Sequence, residues 1–119
     1  MSLQLFNRMS RQKEAFVALN PGFVGMYVCG PTVYGHAHIG HAKAYITFDT
    51  LHRYLEHLGY RVRYVQNITD VGHMTEDDLA DGGGEDKILK AASATGRTPE
   101  EIARFFERKI FEDRDTLNI

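Results

Sequence analysis

The feature that most constrains the fold is a strand pattern, a helix pattern and a second strand pattern that follow one another between residues 24 and 69. The run from Val24 to Cys29 is almost continuously apolar, which is typical of a parallel strand covered on both faces. From His41 to Leu58 apolar residues recur at intervals of three and four, and Gly59 then ends the helix. The stretch "YRVRYVQNIT" (60–69) is rich in β-branched and aromatic residues, which favours a strand. The predicted buried helix face consists of Ala42, Tyr45, Phe48, Leu51, Leu55 and Leu58. Together these patterns predict a βαβ unit with a parallel sheet and an α/β fold.

The segments on either side add four predicted elements. Two short strands are expected at the apolar clusters 3–6 and 16–19, and a modest helix is expected over 85–94. Thr98 and Pro99 predict the start of a last helix, with Glu101 completing a capping box. Its core face is expected to hold Ile102, Phe105, Phe106, Lys109 and Ile110. The glycine-interrupted, acidic stretch 71–84 predicts a mobile connector. The last helix runs to the end of the chain without a glycine cap, and we expect a cut through a larger domain.

Composition narrows the class of protein. The 119 residues are 43% hydrophobic and 25% charged with a net charge of -2, which indicates a globular protein and argues against indiscriminate binding to nucleic acid. There is no apolar run of 18 residues and no pattern of a signal peptide, so we expect a cytoplasmic protein without a membrane segment. The single cysteine, Cys29, cannot form an internal disulfide. It is therefore a core thiol, a nucleophile or a metal ligand.

The loop "CGPTVYGHAHIGHAKAY" (29–45) carries most of the candidate chemistry. It joins a strand end to a helix start, where free backbone N–H groups and the helix dipole favour a phosphate. His38 and His41 lie on one face if the helix has begun, and Gly40 allows a ligand close to the backbone. These histidines could instead be exposed loop residues, or form a metal site with His36, although that spacing is not a standard ligand pattern.

The motif itself resembles a known family. The run His38-Ile39-Gly40-His41, between a strand and a helix, is similar to the ATP-binding signature of class I aminoacyl-tRNA synthetases. Three segments resemble, in order and spacing, the amino-terminal part of the cysteine-specific members: "MYVCGPTVYGHAHIGHA", "DTLHRYLEHLGYRVRYVQNITDV" and "EEIARFFERKIFEDRDTLNI". The resemblance implies that residues 1–119 are the amino-terminal portion of a catalytic nucleotide-binding domain with a partial Rossmann-like parallel sheet and flanking helices.

The resemblance also implies an activity: ATP-dependent ligation of L-cysteine to its tRNA through a cysteinyl-adenylate. His38 and His41 would stabilise the transition state as catalytic residues, and the ATP site would comprise Pro31, Thr32, His38, Gly40 and His41. Gly30, Thr32 and Thr69 would bind the substrate cysteine. Cys29 would be one ligand of a zinc ion that recognises the substrate thiol, while ATP would enter with magnesium as a substrate.

Other hypotheses stay open from the sequence. A related ligase joins cysteine to an amino sugar in mycothiol synthesis, and a non-catalytic nucleotide-binding module is a third possibility. Because a zinc site needs at least three protein ligands and only Cys29 is a candidate, we expect the 119 residues alone to be inactive and to bind zinc weakly or not at all. We also expect self-association through an exposed sheet edge.

Overall fold

The computed structural model describes residues 3–70 and 87–119, and it confirms the α/β class with a parallel strand pair. The elements are β1 (Gln4–Asn7), β2 (Gln12–Ala15), β3 (Phe23–Val28), α1 (Ile39–His57), β4 (Arg61–Gln66), α2 (Lys87–Thr95) and α3 (Pro99–Leu117). The connector predicted at 71–84 lies outside the described residues, as do the first two residues of the helix predicted at 85–94.

The first two strands form an antiparallel hairpin, but the second strand is not where the apolar cluster predicts it. β2 pairs with β1 so that Leu5 faces Glu14, and Arg11 takes a left-handed conformation (φ 58°) just before β2. Hairpin register is fixed by the turn, so the polar residues 12–15 pair although the apolar cluster follows them. Val17 and Leu19 remain 80% and 99% exposed, and the prediction of a strand at 16–19 is wrong.

Strands β3 and β4 form the parallel pair, in register from Phe23 opposite Arg61 to Val28 opposite Gln66. Helix α1 covers one face of this sheet, where the ring of His52 stacks on Tyr64 at 5.5 Å. On the opposite face Tyr27 is 70% exposed. The expectation that β3 is covered on both faces is therefore wrong for the described part of the chain, because its described helices leave that face open.

Helix α1 begins at Ile39, two residues before the predicted start, with His38 as its N-cap. Tyr45 and Leu55 are buried as predicted, whereas Phe48 and Leu58 are 38% and 40% exposed. The buried face thus matches the predicted one only in part. Gly59 (φ 89°) follows the helix in the left-handed conformation that its glycine predicts.

Helix α3 begins as predicted: Thr98 accepts a hydrogen bond from the N–H of Glu101, whose carboxylate accepts one from the N–H of Thr98. Two core clusters lie along this helix, and their buried members are Val33, Ala103 and Ile110 in one and Ile88, Ala92 and Ile102 in the other. The helix does have a stop signal, since Asn118 adopts the left-handed conformation (φ 57°) after Leu117.

Across 3–70 and 87–119, none of the helices is long and apolar enough to cross a bilayer. The cytoplasmic location stays a prediction.

Candidate functional site

The parallel pairing continues beyond β3 and β4, and this brings together the two threonines predicted to bind substrate. Thr32 and Thr69 form an isolated parallel bridge. The N–H of Thr69 donates to the carbonyl oxygen of Pro31 at 2.9 Å, and the N–H of Val33 donates to the carbonyl oxygen of Thr69 at 3.1 Å. Ligands of open α/β sheets bind beyond the carboxyl ends of the strands, which is where this bridge lies.

Gly30 and Asn67 fix the spacing between these strand ends. The N–H of Gly30 donates to Oδ1 of Asn67 at 2.8 Å, and Nδ2 of Asn67 donates to Oγ1 of Thr69 at 3.2 Å. A Cβ atom on Gly30 would stand 1.6 Å from the carbonyl oxygen of Asn67. Only glycine fits at this position, because the two backbones approach too closely for any side chain.

Cys29 directly follows β3, and its side chain is exposed, so it is not a core thiol. Its carbonyl oxygen accepts a hydrogen bond from Nε2 of Gln66 at 3.2 Å. Arg114 donates in turn to Oε1 of Gln66 at 2.8 Å. This chain of contacts ties the end of α3 to the segment that carries Cys29.

The two histidines of the signature lie together at the start of α1. Their ring centroids are 4.0 Å apart. Nδ1 of His38 accepts from the N–H of Gly40 at 3.0 Å, and Nδ1 of His41 accepts from the N–H of His38 at 3.2 Å. The motif therefore forms a reciprocal capping box in which both side chains are imidazoles. A Cβ on Gly40 would stand 2.8 Å from Cε1 of His38, so the glycine makes room for the capping ring.

A pocket of about 350 Å³ opens beside the capping box. It is lined by Gly30, Pro31, Thr32, Tyr34, Gly35, His36, Ala37, His38, His41 and Ile110. It thus gathers five of the predicted site residues, whereas Cys29, Gly40 and Thr69 are not part of its lining.

The ring of His36 packs edge-on against Phe106 at 5.1 Å. No group of three or more histidine, cysteine or acidic residues that could hold a metal ion occurs in 3–70 or 87–119, which counts against a site made of His36, His38 and His41.

The pocket is suited to an anion. Among residues 3–70 and 87–119, those that line the pocket include no acidic side chain, and the N-terminus of α1 adds the positive end of a helix dipole. Burial, and secondarily the neighbouring His38, lowers the pKa of His41 below its usual 6.5. His41 is therefore a neutral hydrogen-bonding group at physiological pH rather than a cation.

Arg114, Gln66 and Asn67 are not among the site residues predicted from the sequence. Asn67 could be found from its position immediately after β4, where an amide side chain commonly ties neighbouring backbone groups. Arg114 follows Phe106 and Ile110 at intervals of four and so lies on the same helix face, but its charge argues against a place in the core. Its guanidinium instead lies 5.7 Å from the ring centre of Tyr45.

Known proteins match this chain over most or all of its length. Residues 15–119 match the family model of class I (C) tRNA synthetase catalytic domains. A cysteine–tRNA ligase of Chlorobium luteolum is 55% identical over 119 residues, covering 100% of this chain and 24% of that protein. Cysteine–tRNA ligases of Phocaeicola vulgatus and Deinococcus radiodurans are 55% and 50% identical, over 98% and 99% of this chain and 23% of each relative. The chain thus spans about a quarter of the length of these curated relatives. It belongs to the family of class I (C) tRNA synthetase catalytic domains and corresponds to the amino-terminal part of that domain.

Proposed function

We propose that residues 1–119 are the amino-terminal portion of the catalytic domain of a cysteine–tRNA ligase, which joins L-cysteine to its tRNA at the expense of ATP. The observation that carries the proposal is the 55% identity to such a ligase along the entire chain, combined with the capped histidine pair beside the strand ends. The relatives are named cysteine–tRNA ligases, which favours this function over that of a cysteine–amino-sugar ligase of mycothiol synthesis.

In the first step the carboxylate oxygen of cysteine attacks the α-phosphorus of ATP. The bond between the α-phosphorus and the bridging oxygen breaks, pyrophosphate leaves, and cysteinyl-adenylate forms. His38 and His41 donate hydrogen bonds to phosphate oxygens as charge builds up there, and they transfer no proton. Pro31, Thr32 and Gly40 form the rest of the proposed ATP contact, and the positive end of the α1 dipole favours the phosphates. ATP enters as its magnesium complex.

The substrate cysteine is proposed to bind where Gly30, Thr32 and Thr69 meet. The bridge between the two threonines and the close approach at Gly30 support this position, and Gly30 and Thr32 line the same pocket as His38 and His41. Adenylate formation needs the amino acid and the α-phosphate side by side, and these strand ends adjoin the helix start.

The described residues do not form a zinc site by themselves. Cys29 offers one exposed thiol, and a closed or catalytic zinc site takes at least three protein ligands. We keep Cys29 as one proposed ligand in the full-length ligase, where a thiolate-binding ion would distinguish cysteine from serine. Zinc titration of Cys29→Ala full-length protein should show weaker zinc binding than the parent, and unchanged affinity would reject this role.

For the isolated 119 residues we propose no aminoacylation and weak or no zinc binding. We also propose self-association through an exposed edge of the sheet, because β3 and β4 form a two-stranded sheet in the described part of the chain and each leaves one edge without a partner strand. The register partners Tyr27 and Val65 on the open face are 70% and 42% exposed and add apolar surface beside that edge. Light scattering after size-exclusion chromatography should give a mass above 13.5 kDa that falls in a Tyr27→Lys variant. A monomer at micromolar concentration would contradict this part.

Cysteine-dependent exchange of pyrophosphate into ATP by the full-length ligase tests the adenylation step. His38→Ala and His41→Ala should each lower the exchange rate roughly 10²–10³-fold, as removal of an oxyanion donor typically does. His57→Ala is the matched control, because His57 lies exposed at the other end of α1. Equal rates in the His38 and His57 variants would overturn the assignment, and tight ATP binding without any exchange would favour a non-catalytic module.

A further inference from the structure

The capping box determines where the protons of the two signature imidazoles lie. A ring nitrogen that accepts a hydrogen bond carries no proton. Nδ1 of His38 accepts from Gly40 N–H at 3.0 Å, and Nδ1 of His41 accepts from His38 N–H at 3.2 Å. Backbone N–H groups are donors only, so these two contacts cannot be reversed.

From this geometry we infer that the helix start holds His38 and His41 as neutral imidazoles with the proton on Nε2, so that each presents one fixed N–H donor to the ligand. The inference rests on the proposed function only for the identity of the ligand that the donors meet. The tautomer itself is a property of the ligand-free chain. The backbone N–H of Gly40 therefore positions the ring of His38, and the backbone N–H of His38 positions the ring of His41.

Two further observations support this arrangement. The ring centroids of His38 and His41 are 4.0 Å apart, a separation at which two imidazolium charges would repel. The lining residues that the structure describes include no lysine or arginine, so among them neutral donors and the helix N-terminus supply the anion contacts. Fixed donors need no reorientation when phosphate charge develops, which is the condition for strong electrostatic stabilisation.

Gly40 acquires a second role from the same geometry. A Cβ there would stand 2.8 Å from Cε1 and 3.0 Å from Nδ1 of His38, so an alanine displaces the ring from its capping position. Once displaced, His38 loses the backbone donor that selects its tautomer. Gly40 therefore serves to fix His38, in addition to leaving space for a ligand.

Long-range ¹H–¹⁵N correlation spectra of the full 119-residue chain, labelled with ¹⁵N at histidine, test the inference at pH 7.5. His38→Asn and His41→Asn variants assign the two rings. We expect the Nδ1 shift of an unprotonated nitrogen and the Nε2 shift of a protonated nitrogen in both. A protonated Nδ1, or the averaged shifts of a ring that exchanges tautomers, at either residue would overturn it.

Gly40→Ala should convert the His38 signals to averaged values, whereas Gly25→Ala should leave them unchanged because a Cβ at Gly25 meets nothing within 4 Å. Unchanged His38 signals in Gly40→Ala would reject the role of the glycine, and the parent spectrum decides the tautomer even if that variant does not fold. Addition of ATP is a separate readout. A fixed tautomer with no response of either ring to ATP would count against the proposed phosphate contact and leave the tautomer assignment intact.

Discussion

Substitution of Gly30 by alanine tests the geometry of the strand ends most sharply. The new Cβ would stand 1.6 Å from the carbonyl oxygen and 2.8 Å from the carbonyl carbon of Asn67. Restoring ordinary contact requires the two backbones to separate by about 2 Å. That movement breaks the 2.8 Å hydrogen bond from Gly30 to Asn67 and disturbs the bridge between Thr32 and Thr69.

The expected cost follows from these losses. Forced overpacking costs about 1–3 kcal/mol, and each lost hydrogen bond adds about 1 kcal/mol. A destabilisation of about 3 kcal/mol corresponds to a fall in Tm of more than about 10 °C for a domain near this size.

Urea and thermal unfolding, followed by circular dichroism, measure this difference in the 119-residue chain. Gly25→Ala is the matched control because it adds the same methyl group within β3, just before Gly30 in the chain, where a Cβ meets nothing within 4 Å. It should change stability by no more than about 0.5 kcal/mol or increase it slightly. If Gly30→Ala unfolds at the same urea concentration as Gly25→Ala, the close approach of the strand ends is wrong.

Three further predictions concern the helices. Thr98→Ala should cost about 0.5–2 kcal/mol, since the α3 capping box loses its side-chain acceptor; urea midpoints equal to the parent's would reject that role. Tyr45→Phe should leave the free energy of unfolding unchanged or raise it, because the buried hydroxyl has no hydrogen-bond partner within 3–70 and 87–119. One hydrogen bond contributes about 1 kcal/mol, so a fall in the free energy of unfolding larger than about 1 kcal/mol would contradict this. The lowered folded-state pKa of His41 gives stability that is present above pH 6.5 and lost as pH falls through the folded-state value. Urea titrations at pH 7.5 and 5.5 should show a smaller pH dependence in His41→Gln, and an equal dependence would refute it; His38 and Tyr45 are the titratable side chains whose rings lie beside His41.

Local patterns predict much of the fold because local chemistry decides it. The α3 cap at Thr98 and the glycine at the end of α1 each follow from a few adjacent residues. The parallel pair follows from the order strand, helix, strand along the chain. Where tertiary geometry decides, the pattern misleads. The turn before β2 selects polar residues 12–15 for pairing, and the rotation of α1 leaves Phe48 and Leu58 more than a third exposed.

The candidate site shows the same division. The signature at His38 and His41 is readable from sequence, and the two rings do lie together. The contact from Gly30 to Asn67 and the link from Arg114 through Gln66 to Cys29 are not readable, because they join residues 37 to 48 positions apart. Such pairs become visible only when the strand ends and the last turn of α3 are placed in space.

Attachment of radiolabelled cysteine to tRNA by the full-length ligase tests the central claim most directly. We expect ATP-dependent charging with cysteine, no charging with serine, and loss of charging in His38→Ala but not in His57→Ala. Charging with another amino acid, or cysteine charging that is indifferent to the loss of His38, would contradict the account.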